Sequence, residues 1–261
     1  MNCIHVKYGV SVSLILLMGS SAMAEDPASI IRAEDPATPK FSGFAPAADL
    51  GRQLKLSIAD LEKAVATEEE FKGQVEGRFA NDANTIALLA LALGLHDAEN
   101  PYQSKAVAVS EAAKKLRAAK DYAGTKKAIE GLKAAAEGDG QGAGQLKWGK
   151  VSELGDLMKS QVPAVNNKLK TNLRHFKKRA EDLAACAATM ALIAENAKLY
   201  VGDTALPTEG KKWDEFAAGM RSAAVDLAAK AHAGDEAGAK SAMDKLDESC
   251  HACHKVFNPE K

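Results

Sequence analysis

Aromatic side chains are scarce, at 5% of 261 residues, and strand formers such as Val, Ile, Thr and Tyr never run together for long. That argues against a sheet protein, whose pleated faces are built from β-branched and aromatic residues. Charge of one sign is lacking too. The 35 acidic and 34 basic residues leave a net charge of −1, so nothing in the balance suggests a nucleic-acid partner or a polybasic membrane patch. Only four cysteines occur, and they do not form the even, spread-out set of a disulfide framework. Beyond the first 18 residues no long apolar run appears, so stable membrane insertion is not expected. What is abundant is Ala, Leu, Lys and Glu, within an apolar content of 46%, and that composition points to helices.

The N-terminus reads as an address. Lys7 lies in a short polar region, residues 9–18 form an apolar stretch, and Ala22-Met23-Ala24 supplies a small-residue cleavage pattern. The stretch is too short to anchor the chain in a bilayer. We expect a signal peptide over 1–24, cleavage near Ala24, and a mature protein that is periplasmic or otherwise exported. Cys3 leaves with the signal, so Cys186, Cys250 and Cys253 remain.

Residues 25–45 hold Pro27, Pro36 and Pro39 and a repeated Glu-Asp-Pro-Ala, which reads as a Pro-rich leader, disordered or extended. The Gly-rich stretch 138–146 reads as a linker between two domains, 46–137 and 147–261. The two segments look like copies. An offset of 104 puts Leu50, Gly51 and Lys55 on Leu154, Gly155 and Lys159, and Thr85 and Leu88 on Thr189 and Leu192. Later an offset of 114 puts Asp121, Gly124 and Leu132 on Asp235, Gly238 and Leu246; the ten extra residues fall around 202–211.

Breakers and apolar spacing predict four helices per copy: 47–66, 71–96, 102–119 and 121–137, then 147–170, 173–200, 210–233 and 235–256. Short connections favour antiparallel neighbours, hence an all-α chain of two tandem four-helix up-down bundles. Pro163 falls inside the fifth helix, where it removes the bond to the Lys159 carbonyl and should kink or restart the helix.

Cys250-His251-Ala252-Cys253-His254 is the C-x-x-C-H pattern of c-type haem attachment. On a helix, positions three and four apart share a face, so both thiols and the His254 imidazole can meet one flat macrocycle. Cys250 and Cys253 are the covalent attachment points for one haem c, and His254 is the proximal iron ligand. The competing reading is structural zinc, which usually takes two separated ligand pairs; the chain has no second pair. His251 reads as solvated, Lys255 as serving the helix end, and Phe257 as either a cover for the haem edge or a core aromatic.

The run from Lys211 through Trp213 to Phe216, then Ala231-His232-Ala233-Gly234-Asp235, then Ser249 to His254 with Phe257, resembles the last two helices of cytochromes c′ and c-556. The resemblance covers about 147–257 and implies a four-helix bundle with haem near the end of its fourth helix. Asn258 departs from the basic residue that often follows the aromatic in that family. The resemblance also implies that a residue on the first bundle helix faces the distal side of the iron. The stretch Gly155 to Lys159 resembles the family's segment there and nominates Met158; a core methionine is the other reading. Met190, Met220 and Met243 read as core residues.

His175 and His232 read as surface residues, and Cys186 as a buried unpaired thiol. His96 reads as a partner for a helix C-terminus or, less simply, a ligand. The first copy has Ala136, Asp139 and Gly140 where the second has Cys250, Cys253 and His254, so it cannot attach haem covalently. The expected function is a mono-haem electron carrier, not an enzyme, exchanging single electrons with unidentified redox partner proteins. The alternative is a five-coordinate cytochrome c′-like protein that binds nitric oxide or carbon monoxide. The family's bundles often dimerise, so a homodimer is one expectation; use of that interface by the attached second bundle is the other.

Overall fold

The computed structural model describes residues 36–139, 142 and 144–258, which belong to one compact unit. The signal-peptide reading, most of the leader, and Gly140 lie outside them. Among the described residues every regular element is helical. None of these helices is long and apolar enough to cross a membrane.

The first copy builds α1 (Ala47–Ala64), the short α2 (Glu68–Lys72), α3 (Arg78–Gly94), α4 (Ala106–Ala118) and α5 (Tyr122–Glu137). In α1, Leu50, Leu54, Ile58 and Leu61 recur at helical spacing and are buried on one face. The single helix expected over 71–96 is two. Thr67 and Glu70 cap α2 reciprocally, Thr67 Oγ1 accepting from Glu70 N at 3.1 Å. Gly77 then turns the chain with φ +78°, a conformation that favours glycine, before α3 begins. From Ala83 to Leu93 nearly every residue of α3 is buried. The leader gives way to structure at its end: Phe41–Gly43 form a 3-10 turn, and Phe41, Phe44 and Ala45 are buried.

The second copy builds α6 (Leu154–Asp156), a π-helical turn (Leu157–Gln161), α7 (Val162–Arg174), α8 (Phe176–Ala197), a 3-10 turn (Lys198–Asp203), α9 (Gly210–His232) and α10 (Glu236–Phe257). The fifth helix therefore starts at 154, and residues 145–153 run without regular structure. Trp148 is buried, and Asn196 Nδ2 donates to Gly149 O at 2.9 Å, which holds this segment along the end of α8. The two segments share one cap. Asp121 accepts from Gly124 N at 2.7 Å, and Asp235 accepts from Gly238 N at 2.8 Å, so the last helix of each copy starts the same way.

Within each copy successive helices pack on one another and the last returns to the first, closing a four-helix ring. The rings share an interface in which α1 and α3 meet α8, and α3 also meets the π turn. Arg52 donates to Asp182 at 2.7 Å, Lys168 lies 3.4 Å from Asp60, and the Arg221 guanidinium sits 5.2 Å from the Phe44 ring. Phe41 packs edge-on to Trp148 at 5.3 Å. His232, at the end of α9, donates from Nε2 to Oδ2 of the buried Asp49 at 3.0 Å, with Glu181 of α8 at 3.8 Å from Nδ1. The surface role read for His232 becomes a bridge between the copies.

That bridge predicts a pH dependence. The hydrogen bond to Asp49 raises the His232 pKa above its ordinary value, against some desolvation. Stability from this contact is therefore complete below about pH 6.5, the unfolded value, and is lost as pH rises through the folded value. Urea midpoints measured from pH 5.5 to 9 should decline through this window in the native chain and decline less in His232→Gln. Because the imidazole is 42% exposed, the difference should stay within about 1 kcal/mol.

Candidate functional site

α10 keeps its buried face toward the bundle through Ala239, Ala242, Met243 and Leu246. Its final turns carry Cys250, Cys253 and His254, and all three line one cavity. α9 supplies Trp213, Phe216, Ala217 and Met220, and Ala197 closes the end of α8. The opposite wall holds Met158 from the π turn and Val162 from the start of α7. A second cavity adjoins the first and shares Met158, Trp213, Cys253 and His254 with it. Its remaining wall includes Gly155, Lys159, Phe257, Asn258 and the loop residues Asp203, Thr204 and Ala205. That loop belongs to the ten-residue excess of the second copy, so the insertion builds a cavity wall the first copy lacks.

Packing fixes the aromatic side of the site. Trp213 Nε1 donates to Ala197 O at 2.7 Å. Its ring meets Phe257 edge-on at 5.0 Å, and Phe216 meets Phe257 at 6.2 Å. Phe257 is thus a buried aromatic and a lining residue at once. Met220, read as a core methionine, is buried and also faces the cavity. The signal was its spacing: Trp213, Phe216, Ala217 and Met220 fall on one helical stripe.

The sulfurs are held protonated. Burial pushes the Cys253 thiol up to about 11, with the neighbouring Cys250 adding to it. Burial, then Asp247, raises Cys250. Among the described residues no three His, Cys, Asp or Glu side chains converge where a bare metal ion would sit. Structural zinc takes four converging ligands, and no such set is present among the described residues. The cavity suits a flat apolar macrocycle. Two neutral thiols and an imidazole stand on one helix, aromatic and aliphatic groups surround them, and a thioether faces them from the other wall.

The remaining sequence candidates separate from this cavity. His251, Lys255 and His175 are exposed. His96 is 4% exposed and fully used: its Nε2 lies 3.0 Å from Ala45 O, and its Nδ1 accepts from Ala98 N at 2.9 Å. With Nδ1 accepting, Nε2 is the nitrogen that faces Ala45 O. The ring also stacks on Phe41 at 5.8 Å, which makes it a strut of the first bundle with no nitrogen left to bind a metal. Cys186 is buried, donates to Val165 O at 3.5 Å, and has its pKa raised to about 12 by desolvation. Met190 and Met243 are buried outside the cavity lining.

In the first copy a cleft lies at the corresponding place, with Ile58 and Ala136 where the second copy has Val162 and Cys250. Tyr102 lines it and packs close to Gly51, where an added Cβ would stand 2.9 Å from the ring.

The Trp213 contact gives a direct test. Trp213→Phe keeps an aromatic ring but leaves the Ala197 carbonyl without its donor, which should cost about 1–2 kcal/mol in denaturant unfolding of the haem-free protein.

Residues 149–258 match the family model described as Cytochrome C′. No curated protein and no solved structure matches the chain. The matched stretch spans the helices, the C-x-x-C-H motif and the cavity just described. Residues 149–258, less than half of the chain, are therefore similar to the cytochrome C′ family, a family of haem-binding cytochromes.

Proposed function

We propose that this chain is an exported mono-haem electron carrier. One haem c would be attached through Cys250 and Cys253, with His254 as the proximal and Met158 as the distal iron ligand. The observation that carries the reading is the placement of Met158 and His254 across the same two adjoining cavities. Bound there, haem supplies an iron that cycles between ferrous and ferric states by one electron.

The chain's residues account for the rest. Each cysteine S–H adds across one vinyl double bond, forming a C–S bond and placing the hydrogen on the adjacent carbon, so no oxidant is required. His254 follows Cys253 directly and is presented on the same helix face. Trp213, Phe216, Ala217 and Met220 keep water from the metal side, and a thioether ligand in an apolar shell favours the reduced state. His254 is itself exposed, so the rim of the site lies at the surface, where an electron can pass to a docked redox protein.

Two measurements test this. After denaturing electrophoresis, haem staining should stay with the native polypeptide and vanish in Cys250→Ala/Cys253→Ala; a native band without stain removes covalent attachment. The ferric protein should show the long-wavelength absorption of methionine–iron ligation, and Met158→Leu should abolish it and open the ferrous iron to carbon monoxide. A native protein that is high-spin and binds carbon monoxide at once would instead be the five-coordinate gas-binding form.

A further inference from the structure

The π turn that carries Met158 is local to the second copy. Its counterpart in α1 runs as regular α-helix from Ala47 to Ala64, with Ala59 where the second copy has Pro163. Proline has no N–H to give the Lys159 carbonyl, and its ring crowds that oxygen. Widening the preceding turn relieves both problems, after which α7 restarts with Pro163 in its first turn, where proline is tolerated.

The widened turn changes which side chains share a face. Leu157, Gln161, Val165 and Leu169 are all buried and follow one another every four residues. In a straight α-helix a four-residue step drifts by about 40°, so Leu157 would lie roughly 120° away from Leu169. With the π turn they stay on one side, and Met158 is turned into the cavity.

A wide turn of this kind needs to be held. Gln161, 0% exposed, donates from Nε2 to Ser152 Oγ at 2.8 Å. Ser152 is in turn fixed by Tyr200, whose hydroxyl donates to Ser152 O at 2.9 Å. Gln161 Oε1 is buried without a hydrogen-bond partner among the described residues. A wholly buried amide that leaves its oxygen unpaired is poor packing chemistry, and such defects are retained where geometry matters.

We propose that Gln161 and Ser152 are positioning residues that hold the π turn so that Met158 faces His254. The inference rests on the reading that Met158 is the distal ligand. Pro163 already keeps the turn wide; the side-chain bond ties its end to the segment anchored on Tyr200 and so fixes the direction in which Met158 points.

The test uses the full-length, haem-loaded protein and its Gln161→Leu and Ser152→Ala variants, which break one bond from opposite ends. Both should lose most of the ferric methionine–iron band, lower the midpoint potential and bind carbon monoxide about tenfold more tightly. Their helical circular dichroism should match that of the native chain. The double variant should be no worse than either single one, because both remove the same interaction. A native protein with the band, together with Ser152→Ala that keeps the native band, potential and carbon monoxide affinity, overturns the positioning role and leaves Met158 ligation standing. A native protein without the band overturns the ligation reading and the positioning role together.

Discussion

Between Leu183 and Ala194 no residue of α8 reaches the surface, and this helix decides how the rest of the chain is arranged. A helix buried on all sides needs neighbours on all sides. The second bundle supplies α7 and α9; the other side is closed by α1 and α3 of the first copy. Small side chains make this feasible, since Ala184, Ala187, Ala188, Ala191 and Ala194 let neighbouring helices approach closely. The first bundle is therefore more than an appendage. It covers a face of the second that would otherwise expose a long apolar stripe to water.

Within that arrangement the two bundles share features and differ at one end. Both copies begin their last helix with an Asp cap and a glycine three residues on, and both close a four-helix ring. The second copy differs at the cavity end by three features: the two cysteines and histidine on α10, the loop that carries Asp203 to Ala205, and Pro163 with its widened turn. Each contributes one wall of the cavity. The first copy lacks all three. Its corresponding cleft is lined by Tyr102 against Gly51, and its lone histidine braces Phe41 and the Ala45 carbonyl.

Much of this could be read along the chain. Apolar spacing located the long helices, because a buried stripe at helical period is a local property. The bounds of α9 and α10 lie within a residue or so of expectation. The expected 71–96 helix was split because Gly77 adopts a left-handed conformation and the Thr67–Glu70 capping box starts a helix of its own. The fifth helix began late because residues 145–153 are held by Asn196 and Tyr200, partners about fifty positions away. Met220 was assigned to the core alone, since a helical stripe does not reveal which part of it meets a cavity.

The sequence by itself determined one local arrangement: the spacing of Cys250, Cys253 and His254 places three groups on one helix face whatever the helix packs against. It also determined that Pro163 must disturb its helix, because proline lacks the N–H that the preceding turn requires. Only the tertiary structure decided how that disturbance resolves. The widened turn, the buried Gln161–Ser152 bond and the facing of Met158 toward His254 depend on side chains brought together from separate elements. The same holds for His96 and His232, whose roles are set by Ala45 and Asp49, residues far away in the chain. Local spacing fixes what a helix presents; long-range packing fixes what it is presented to.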